Sequence, residues 1–331
     1  MAVSVPLRRR GKTVLADHGR GVACTSRTQS PKRSALPAVR LLCQRGRDRV
    51  TCQPAFPDRN PAADAACAQS IGADRGTIVY LKRRLENNDT VYGLFCSTPA
   101  ALSVELIAAA GYDFVVIDLE HTLINAGQLA AMLLAARASG IAPLVRVAAD
   151  YQALQALDAG AEGIVFPRIR SVQAARDAVR LCHFAPPGGR GLNATWHSRY
   201  GFNDLVASMN AAREQTLVVM MIEDLEGLEC ADEIAAVEGV DMLLEGAADL
   251  SQSLGLPWQT RHPDVRAAVS RIREAARRHD KMFCALPRAP GDLACWYQDE
   301  VRMFILGDDR GIVCRAMAAH LGEYRTRVDG Q

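Results

Sequence analysis

The sequence predicts an α/β protein with the (β/α)8 TIM-barrel fold, in which eight parallel strands close into a cylinder that helices cover. Eight short apolar runs alternate with alanine-rich helical segments over about 250 residues. Strands that are apolar along their whole length are typical of a parallel sheet buried on both faces. No GxGxxG motif follows the first strand, so the barrel is favoured over an open dinucleotide-binding sheet.

The predicted elements follow one another in a regular order. The segment LKRRLENN, residues 81–88, predicts a short amphipathic helix and a polar turn before the first strand. Several helical segments between the strands end at a glycine, such as Gly111 or Gly140, and glycine is the usual stop signal of a helix. The predicted strands are residues 92–95, 113–118, 142–147, 163–169, 217–223, 240–246, 281–287 and 302–307.

Charge and composition divide the chain into two parts. Residues 1–76 hold 14 Lys and Arg against 5 Asp and Glu, a net charge of +9, whereas residues 77–331 hold 25 against 32, or −7. The first part has no sustained period and is broken by prolines, so we expect a disordered basic extension before a barrel domain at 77–331. A transit peptide, a nucleic-acid-binding tail and a start codon assigned too far upstream are alternative origins. Aromatic residues do not interleave with the basic ones, so no nucleic-acid partner is expected.

The composition also argues against several classes of protein. No run of 18 apolar residues occurs, so we expect no membrane-spanning segment. The ten cysteines include no CxxC pair, which argues against a zinc ribbon or a thioredoxin-type site. Cysteines scattered in a long chain without a secretory signal are typical of reduced thiols, and we expect a cytoplasmic protein.

Polar side chains collect where the predicted strands end, and TIM barrels carry their active sites at those ends. Each could be structural, since carboxylates cap helices and an arginine can form a salt bridge. Arg146 is the most informative, because an arginine within a buried strand needs a carboxylate or a bound anion for its donors. The convergence of the whole set on one mouth favours an active site. The set consists of Asp118, Glu120, His121, Arg146, Glu223 and Asp249.

The residue types indicate the chemistry of this mouth. Glu223 and Asp249 follow neighbouring strands, and two carboxylates with open positions suit Mg²⁺ or Mn²⁺ chelated by a 2-oxo acid, whose enolate the ion would stabilise. His121 is the candidate base, and Arg146 is the candidate stabiliser of the developing negative charge. No lysine lies within the inner strands, which argues against a Schiff-base aldolase. The expected supporting residues are Asp118 and Glu120.

Several stretches of the chain form an ordered set of motifs. They are YGLFCSTPAALSVELIAAAGYDFVVIDLEHT, PLVRV, ALDAGAEGIVFPRI, PPGGRG, MIEDLEG and GAADLSQSLG. In this order they resemble the HpcH/HpaI aldolase family of metal-dependent class II aldolases that act on 2-oxo acids, and the resemblance covers about residues 78–325. The resemblance implies the roles given above to His121, Arg146, Glu223 and Asp249.

The resemblance has further implications for the site and the assembly. Asp158 would be the carboxylate that orients His121 and raises its basicity. Ala248 would offer its backbone to the substrate carboxylate. The partner would be a small-molecule 2-oxo acid, and the protomers would form a homo-oligomer, a trimer or hexamer that exchanges a C-terminal helix. The implied substrate-binding positions are Arg146, Met221, Ala248 and Asp249.

Some positions depart from the family pattern. Met221 stands where a glutamine is usual, so one polar substrate contact is missing. Ala247 replaces a proline before the ADLS turn, and Glu245 adds a carboxylate where an apolar residue is common. The segment 190–201 is expected to bring Trp196, His197 and Arg199 near the mouth. These differences bear on the substrate more than on the fold.

The predicted function is that of an aldolase-type carbon–carbon lyase working through a pyruvate or oxaloacetate enolate, like a 4-hydroxy-2-oxo-heptanedioate aldolase. One alternative is a citrate-synthase-like enzyme that condenses acetyl-CoA with oxaloacetate in siderophore biosynthesis. That branch of the family is metal-independent and would take CoA as part of its substrate, but no phosphate-binding glycine loop indicates a CoA site. The alternative from another class is a non-catalytic anion-binding barrel, against which the retained His121 argues.

Overall fold

The computed structural model of the protein describes residues 80–329. The predicted basic extension, residues 1–76, lies outside these residues. Eight parallel strands form a closed barrel in the order β1 to β8, each paired with its neighbours in the chain and β1 with β8. The predicted TIM barrel is therefore confirmed. The strands are β1 Val91–Cys96, β2 Phe114–Asp118, β3 Ala142–Arg146, β4 Gly163–Phe166, β5 Leu217–Ile222, β6 Met242–Glu245, β7 Met282–Ala285 and β8 Met303–Asp308.

The fourth strand is shorter than the sequence predicted. The expected strand ran to residue 169, whereas β4 ends at Phe166. Pro167 follows, and a proline has no N–H to donate to a strand ladder. Arg168 then takes a left-handed backbone conformation with φ of 52°, which no strand can contain.

Helices cover the outside of the barrel, and local signals set their limits. The Asn125 side chain and Gln128 form a reciprocal capping box at the start of one helix, which ends at Gly140 with φ of 73°. The described helices are α1 Leu81–Glu86, α2 Ala101–Ala109, α3 Ala126–Ser139, α4 Tyr151–Ala159, α5 Val172–Cys182, α6 Leu205–Gln215, α7 Leu225–Glu229, α8 Ala231–Ala235, α9 Ala247–Ser253, α10 Pro263–Arg278, α11 Asp292–Gln298 and α12 Asp309–Asp329, with a 3-10 helix at Trp196–Gly201.

Two apolar cores stabilise the barrel, one inside the cylinder and one between strands and helices. In β2, Phe114 and Val116 fill the interior, whereas Val115 and Ile117 pack toward the helices. Successive side chains of a strand alternate between its faces, so the next residue, Asp118, is on the interior face. The alternation that places apolar side chains in the core therefore also places the Asp118 carboxylate at the mouth.

The alternation decides which other strand-end residues enter the mouth. Arg146 lies two positions after the interior residue Leu144 in β3, and Glu223 lies two positions after the interior residue Met221 in β5. Glu245 has the opposite phase, because the residue two positions before it packs toward the helices. Two of these polar side chains thus join Asp118 on the interior face, and Glu245 does not.

Two predictions about composition concern the described residues. Among residues 80–329, the structure contains no helix with the length and hydropathy needed to cross a bilayer. Six cysteines fall in the described range, and all six are free thiols. They are Cys96, Cys182, Cys230, Cys284, Cys295 and Cys314.

Candidate active site

A buried ion pair forms the floor of the barrel mouth. Asp118 and Arg146 are register partners on β2 and β3. The Arg146 Nε donates to Asp118 Oδ1 at 2.9 Å, and its Nη2 lies 2.9 Å from Asp118 Oδ2. The guanidinium also stacks over the Phe95 ring, 4.7 Å from the centroid. This bidentate clamp fixes the plane of the guanidinium and leaves Nη1 facing the mouth.

The carboxylate of Glu120 lies close to three cationic or basic side chains of the site. Arg146 Nη1 lies 3.4 Å from Glu120 Oε2, and His121 Nε2 lies 3.6 Å from the same oxygen. Arg168 Nη2 lies 3.1 Å from the other oxygen, Oε1. Glu120 is almost buried, whereas the His121 side chain is 57% exposed. The imidazole is therefore open to solvent at the mouth, while a buried carboxylate lies beside its ring.

Backbone hydrogen bonds set the turn that carries these groups. Asp118 Oδ1 accepts from the amides of Glu120 and His121 at 3.0 and 3.4 Å, and the Thr122 hydroxyl donates to the Asp118 carbonyl. Asp118 thus holds both the guanidinium and the loop. The predicted supporting role of Asp118 and Glu120 agrees with these contacts, and their catalytic effect stays a prediction.

Glu223 is the most perturbed acid of the mouth. Its Oε1 accepts from the Arg168 amide at 2.7 Å, and its Oε2 is buried without a hydrogen-bond partner among residues 80–329. The pKa of Glu223 is raised to about 7, chiefly by burial and also by the charges of Glu120 and Asp249, while the Arg168 amide and Arg146 oppose the increase. A buried carboxylate with an unused oxygen has the character of a cation ligand or a proton carrier.

The predicted second metal ligand follows β6, the strand that pairs with β5. Asp249 is in the first turn of α9, its side chain is exposed, and its charge acts on Glu223. Ala248 precedes it and is half-buried. The described part of the chain contains no cluster of three or more His, Cys, Asp or Glu side chains arranged to hold a metal. The protein can thus offer an ion two carboxylates and leave its other positions to water and substrate.

Met221 lies beneath these groups, where the family pattern has a glutamine. It is buried on the interior face of β5, and its sulfur is 3.9 Å from Arg146 Nη1. A thioether is a weak acceptor, so it competes little for that donor. This position agrees with the prediction that a polar contact to the substrate is missing at residue 221.

Within one chain, Asp158 does not contact His121. Asp158 lies near the end of α4, and its Oδ1 accepts from Arg190 Nη2 at 2.7 Å. A helix that follows a parallel strand runs back, so the end of α4 is at the opposite end of the barrel from the mouth. The carboxylate that contacts His121 in the chain is Glu120. The role that the resemblance gives to Asp158 stays a prediction.

The segment 190–201 also lies away from the mouth, contrary to expectation. Trp196 packs against Gly160, and the guanidinium of Arg137 lies 4.6 Å above the Trp196 ring. His197 Nε2 is 3.2 Å from the carbonyl of Leu157. Because α3 and α4 end here, this segment covers the end of the barrel that is opposite to the active-site mouth.

Arg288, which no sequence motif indicated, is the partner of Glu245. Glu245 is fully buried and accepts from Arg288 Nη1 at 2.5 Å and from Nη2 at 2.9 Å. It also accepts from the amides of Ala247 and Leu286 at 3.0 Å each. One carboxylate thus ties the start of α9 to the loop after β7. The signal in the sequence was an acid at the end of an apolar strand, which needs a partner when it is buried. Its partner lies 43 residues away in the chain, so the sequence did not identify it.

Other strand-end acids are structural. Asp224 caps α7 through the Gly227 amide at 2.8 Å. Asp309 is buried and accepts from the amides of Ser97 and Thr98, at 2.9 and 3.1 Å, which ties β8 to the end of β1. Both carboxylates therefore stabilise the ends of elements through backbone amides.

Comparisons with known proteins agree with the motifs. The family profile described as HpcH/HpaI aldolase/citrate lyase matches residues 91–307. The crystal structure of citrate synthase SbnG is 47% identical with a TM-score of 0.71, and the match covers 76% of this chain and 99% of that chain. A hydroxypyruvate/pyruvate aldolase from Paraburkholderia phytofirmans is 39% identical over 206 residues, 59% of this chain and 78% of the relative. A 4-hydroxy-2-oxo-heptane-1,7-dioate aldolase from Shigella sonnei is 31% identical over 246 residues, 71% and 92% of the two chains.

Proposed function

The chain belongs to the HpcH/HpaI aldolase/citrate lyase family, and from this premise we propose that it makes or breaks a carbon–carbon bond next to the enolate of a pyruvate- or oxaloacetate-type 2-oxo acid. The prediction of an aldolase-type enzyme is confirmed by relatives that are named aldolases. A non-catalytic barrel is correspondingly disfavoured. The choice of substrate is the part that is proposed.

One observation carries the proposal, namely the buried guanidinium of Arg146 at the mouth. Asp118 occupies Nε and Nη2, and Nη1 has only long contacts, 3.4 Å to Glu120 Oε2 and 3.9 Å to the Met221 sulfur, so Nη1 is the donor that a substrate oxygen can engage. An enolate forms with negative charge on the former keto oxygen, and a fixed donor in a poorly solvated site stabilises that charge without reorganising. The site therefore favours the enolate over the ketone.

His121 is the group that moves the proton. In the cleavage direction it takes the proton of the substrate hydroxyl, the bond between C3 and C4 breaks, and its electron pair passes into the enolate. The aldehyde leaves, and a proton delivered to C3 completes the 2-oxo acid. A histidine is the usual general base, and Glu120 Oε2 lies 3.6 Å from its ring.

The residues present fit a divalent cation. Glu223 offers a buried oxygen without a partner in the described chain, and Asp249 adds a second, exposed carboxylate. These two residues would hold Mg²⁺ or Mn²⁺. When bound, such an ion supplies Lewis-acid polarisation of the 2-oxo acid. Divalent oxygen-preferring ions match this donor set, and the metal identity is part of the proposal.

The remaining expectations for binding are part of the same proposal. Ala248 would present its amide at the start of α9 to the substrate carboxylate. Assembly as a trimer or hexamer is supported by the long helix α12, where apolar side chains four residues apart are exposed on one face. These side chains are Val313, Met317 and Leu321.

A second candidate is condensation of acetyl-CoA with oxaloacetate to citrate. The specific observation that favours it is the 47% identity with citrate synthase SbnG over 99% of that chain. The loss of a polar side chain at Met221 points the same way, since it changes the substrate contacts that the family pattern provides. Both candidates bind a 2-oxo acid and develop negative charge on its C2 oxygen, which Arg146 would stabilise: the enolate oxygen in aldol cleavage, and the alkoxide oxygen when the acetyl-CoA enolate attacks oxaloacetate.

Two assays on the purified protein separate the candidates. Cleavage of 4-hydroxy-2-oxo-heptanedioate to pyruvate and succinic semialdehyde, abolished by EDTA and restored by Mg²⁺ or Mn²⁺, would support the aldolase. Release of free CoA thiol from acetyl-CoA that depends on oxaloacetate and persists in EDTA would support the citrate-forming enzyme instead. Absence of both activities with all these substrates would contradict the proposed function.

A further inference from the structure

We propose that Arg168 is a specificity-determining residue that binds the second carboxylate of a dicarboxylic substrate such as oxaloacetate. The inference rests on the proposed function and names its substrate class, a 2-oxo acid with two carboxylates rather than one. Nothing in the family motifs assigned a role to this arginine. Three observations carry the inference, and they concern its backbone, its side chain and the charges around it.

The backbone of Arg168 is held in an unusual conformation at the mouth. It follows β4 with φ of 52°, a left-handed conformation that costs energy for a residue with a side chain. In this conformation its amide donates to Glu223 Oε1 at 2.7 Å. The strained turn therefore anchors Arg168 directly to the buried acid of the site.

The side chain extends from this turn into the open mouth. Its Nη2 lies 3.1 Å from Glu120 Oε1, on the carboxylate whose other oxygen faces His121. The side chain is 58% exposed, and within the described range Glu120 is the one group with which it is paired. The other N–H donors of the fork are available to a ligand, whereas the donors of Arg146 are largely committed to Asp118.

The charge of the mouth explains why a dicarboxylate needs this residue. Glu223 and Asp249 are assigned to a cation, but Glu120 lies between His121 and Arg168 and would repel the second carboxylate of a dianionic substrate. Arg146 is neutralised by its own bidentate partner. Arg168 is thus the exposed cation that can compensate a second substrate carboxylate, and its planar fork matches a carboxylate.

The neighbouring arginine provides a matched control. Arg170 is two residues further along and is 52% exposed, but its guanidinium pairs with Asp224, the cap of α7. It resembles Arg168 in type, exposure and sequence position. It lacks the contacts with Glu120 and Glu223.

The test uses Arg168→Asn in the full chain. Asparagine tolerates the left-handed backbone and keeps the backbone amide that donates a hydrogen bond to Glu223. We compare kcat/KM for oxaloacetate decarboxylation with kcat/KM for exchange of the pyruvate methyl protons in D2O. The ratio of the two is expected to fall about 10- to 100-fold, mainly through KM for oxaloacetate, since a charge-assisted contact to one carboxylate is lost. Arg168→Lys should recover part of the ratio, and Arg170→Asn should leave it unchanged.

The outcomes separate this inference from the proposed function. Equal loss of both activities would show that Arg168 acts only by positioning Glu120, and an unchanged ratio would show that it binds no second carboxylate; either result overturns the inference. A wild-type protein inactive in both assays would instead count against the proposed function. In that case titration calorimetry with malate, which has two carboxylates, and lactate, which has one, decides. If Arg168→Asn weakens the binding of malate but not that of lactate, the inference is supported. Equal effects on the binding of both ligands refute it.

Discussion

Replacing Glu223 by glutamine tests the electrostatics of the site independently of catalysis. Glutamine keeps the size of the side chain and an oxygen for the Arg168 amide, but it cannot ionise. The pKa of Glu223 rises from an ordinary 4.5 to about 7, chiefly because the carboxyl is buried. A shift of this size corresponds to about 3 kcal/mol of free energy.

The sign of the effect follows from proton linkage. Between pH 4.5 and about 7 the folded protein holds a proton on Glu223 that the unfolded chain has released. The free energy of unfolding contributed by this group is therefore highest below pH 4.5 and falls as the pH rises through 7. The variant lacks this decrease. Its free energy of unfolding relative to that of wild type should therefore rise by about 3 kcal/mol between pH 4.5 and pH 8.

Urea unfolding at several pH values between 4.5 and 8, in metal-free buffer, measures this difference. Glu226→Gln is the control, because its side chain on α7 is exposed and should leave the profile parallel to wild type. Addition of Mn²⁺ at pH 8 extends the test. At about 100 times its Kd a ligand stabilises the folded protein by about 2.7 kcal/mol, which is expected for wild type but not for Glu223→Gln. Parallel pH profiles for wild type and Glu223→Gln would refute the reasoning.

Four further predictions concern the arginines, the carboxylate at the centre of the site and the extension. Arg146→Ala should lower kcat about 10²- to 10³-fold, roughly 3–4 kcal/mol, and Arg146→Lys should recover only part; a normal kcat with a lower Tm would instead show a purely structural pair. Glu120→Gln should reduce kcat about 10- to 100-fold, less than loss of the catalytic base, as steady-state kinetics would show. Arg288→Leu should lower the free energy of unfolding in urea melts by about 3–5 kcal/mol, because it leaves Glu245 buried without its ion-pair partner. The double variant Arg288→Leu, Glu245→Gln should lose less, because no unpaired charge is then buried. A chain beginning at Thr77 should fold and keep its activity, and insoluble or inactive protein would contradict the prediction for residues 1–76.

The sequence alone determined the barrel and the main polar residues of its mouth. Their positions at the ends of apolar strands assigned Asp118, Arg146 and Glu223 to one site, and the period-two alternation of a strand explains why all three take the interior face. These inferences need only local periodicity and the closure of parallel strands. The shared direction of the strands places their ends together.

Only the tertiary structure decided contacts between distant segments. Glu245 and Arg288 are 43 residues apart, and no periodicity relates them. The left-handed turn at Arg168 and its contact with Glu120 depend on how the ends of β2 and β4 face each other across β3 at the mouth. Asp158 was assigned by resemblance and lies at the far end of the barrel within the chain, because α4 runs back against the strands. Local sequence fixes the phase of a strand, but the pairing of long polar side chains depends on the path of the whole chain.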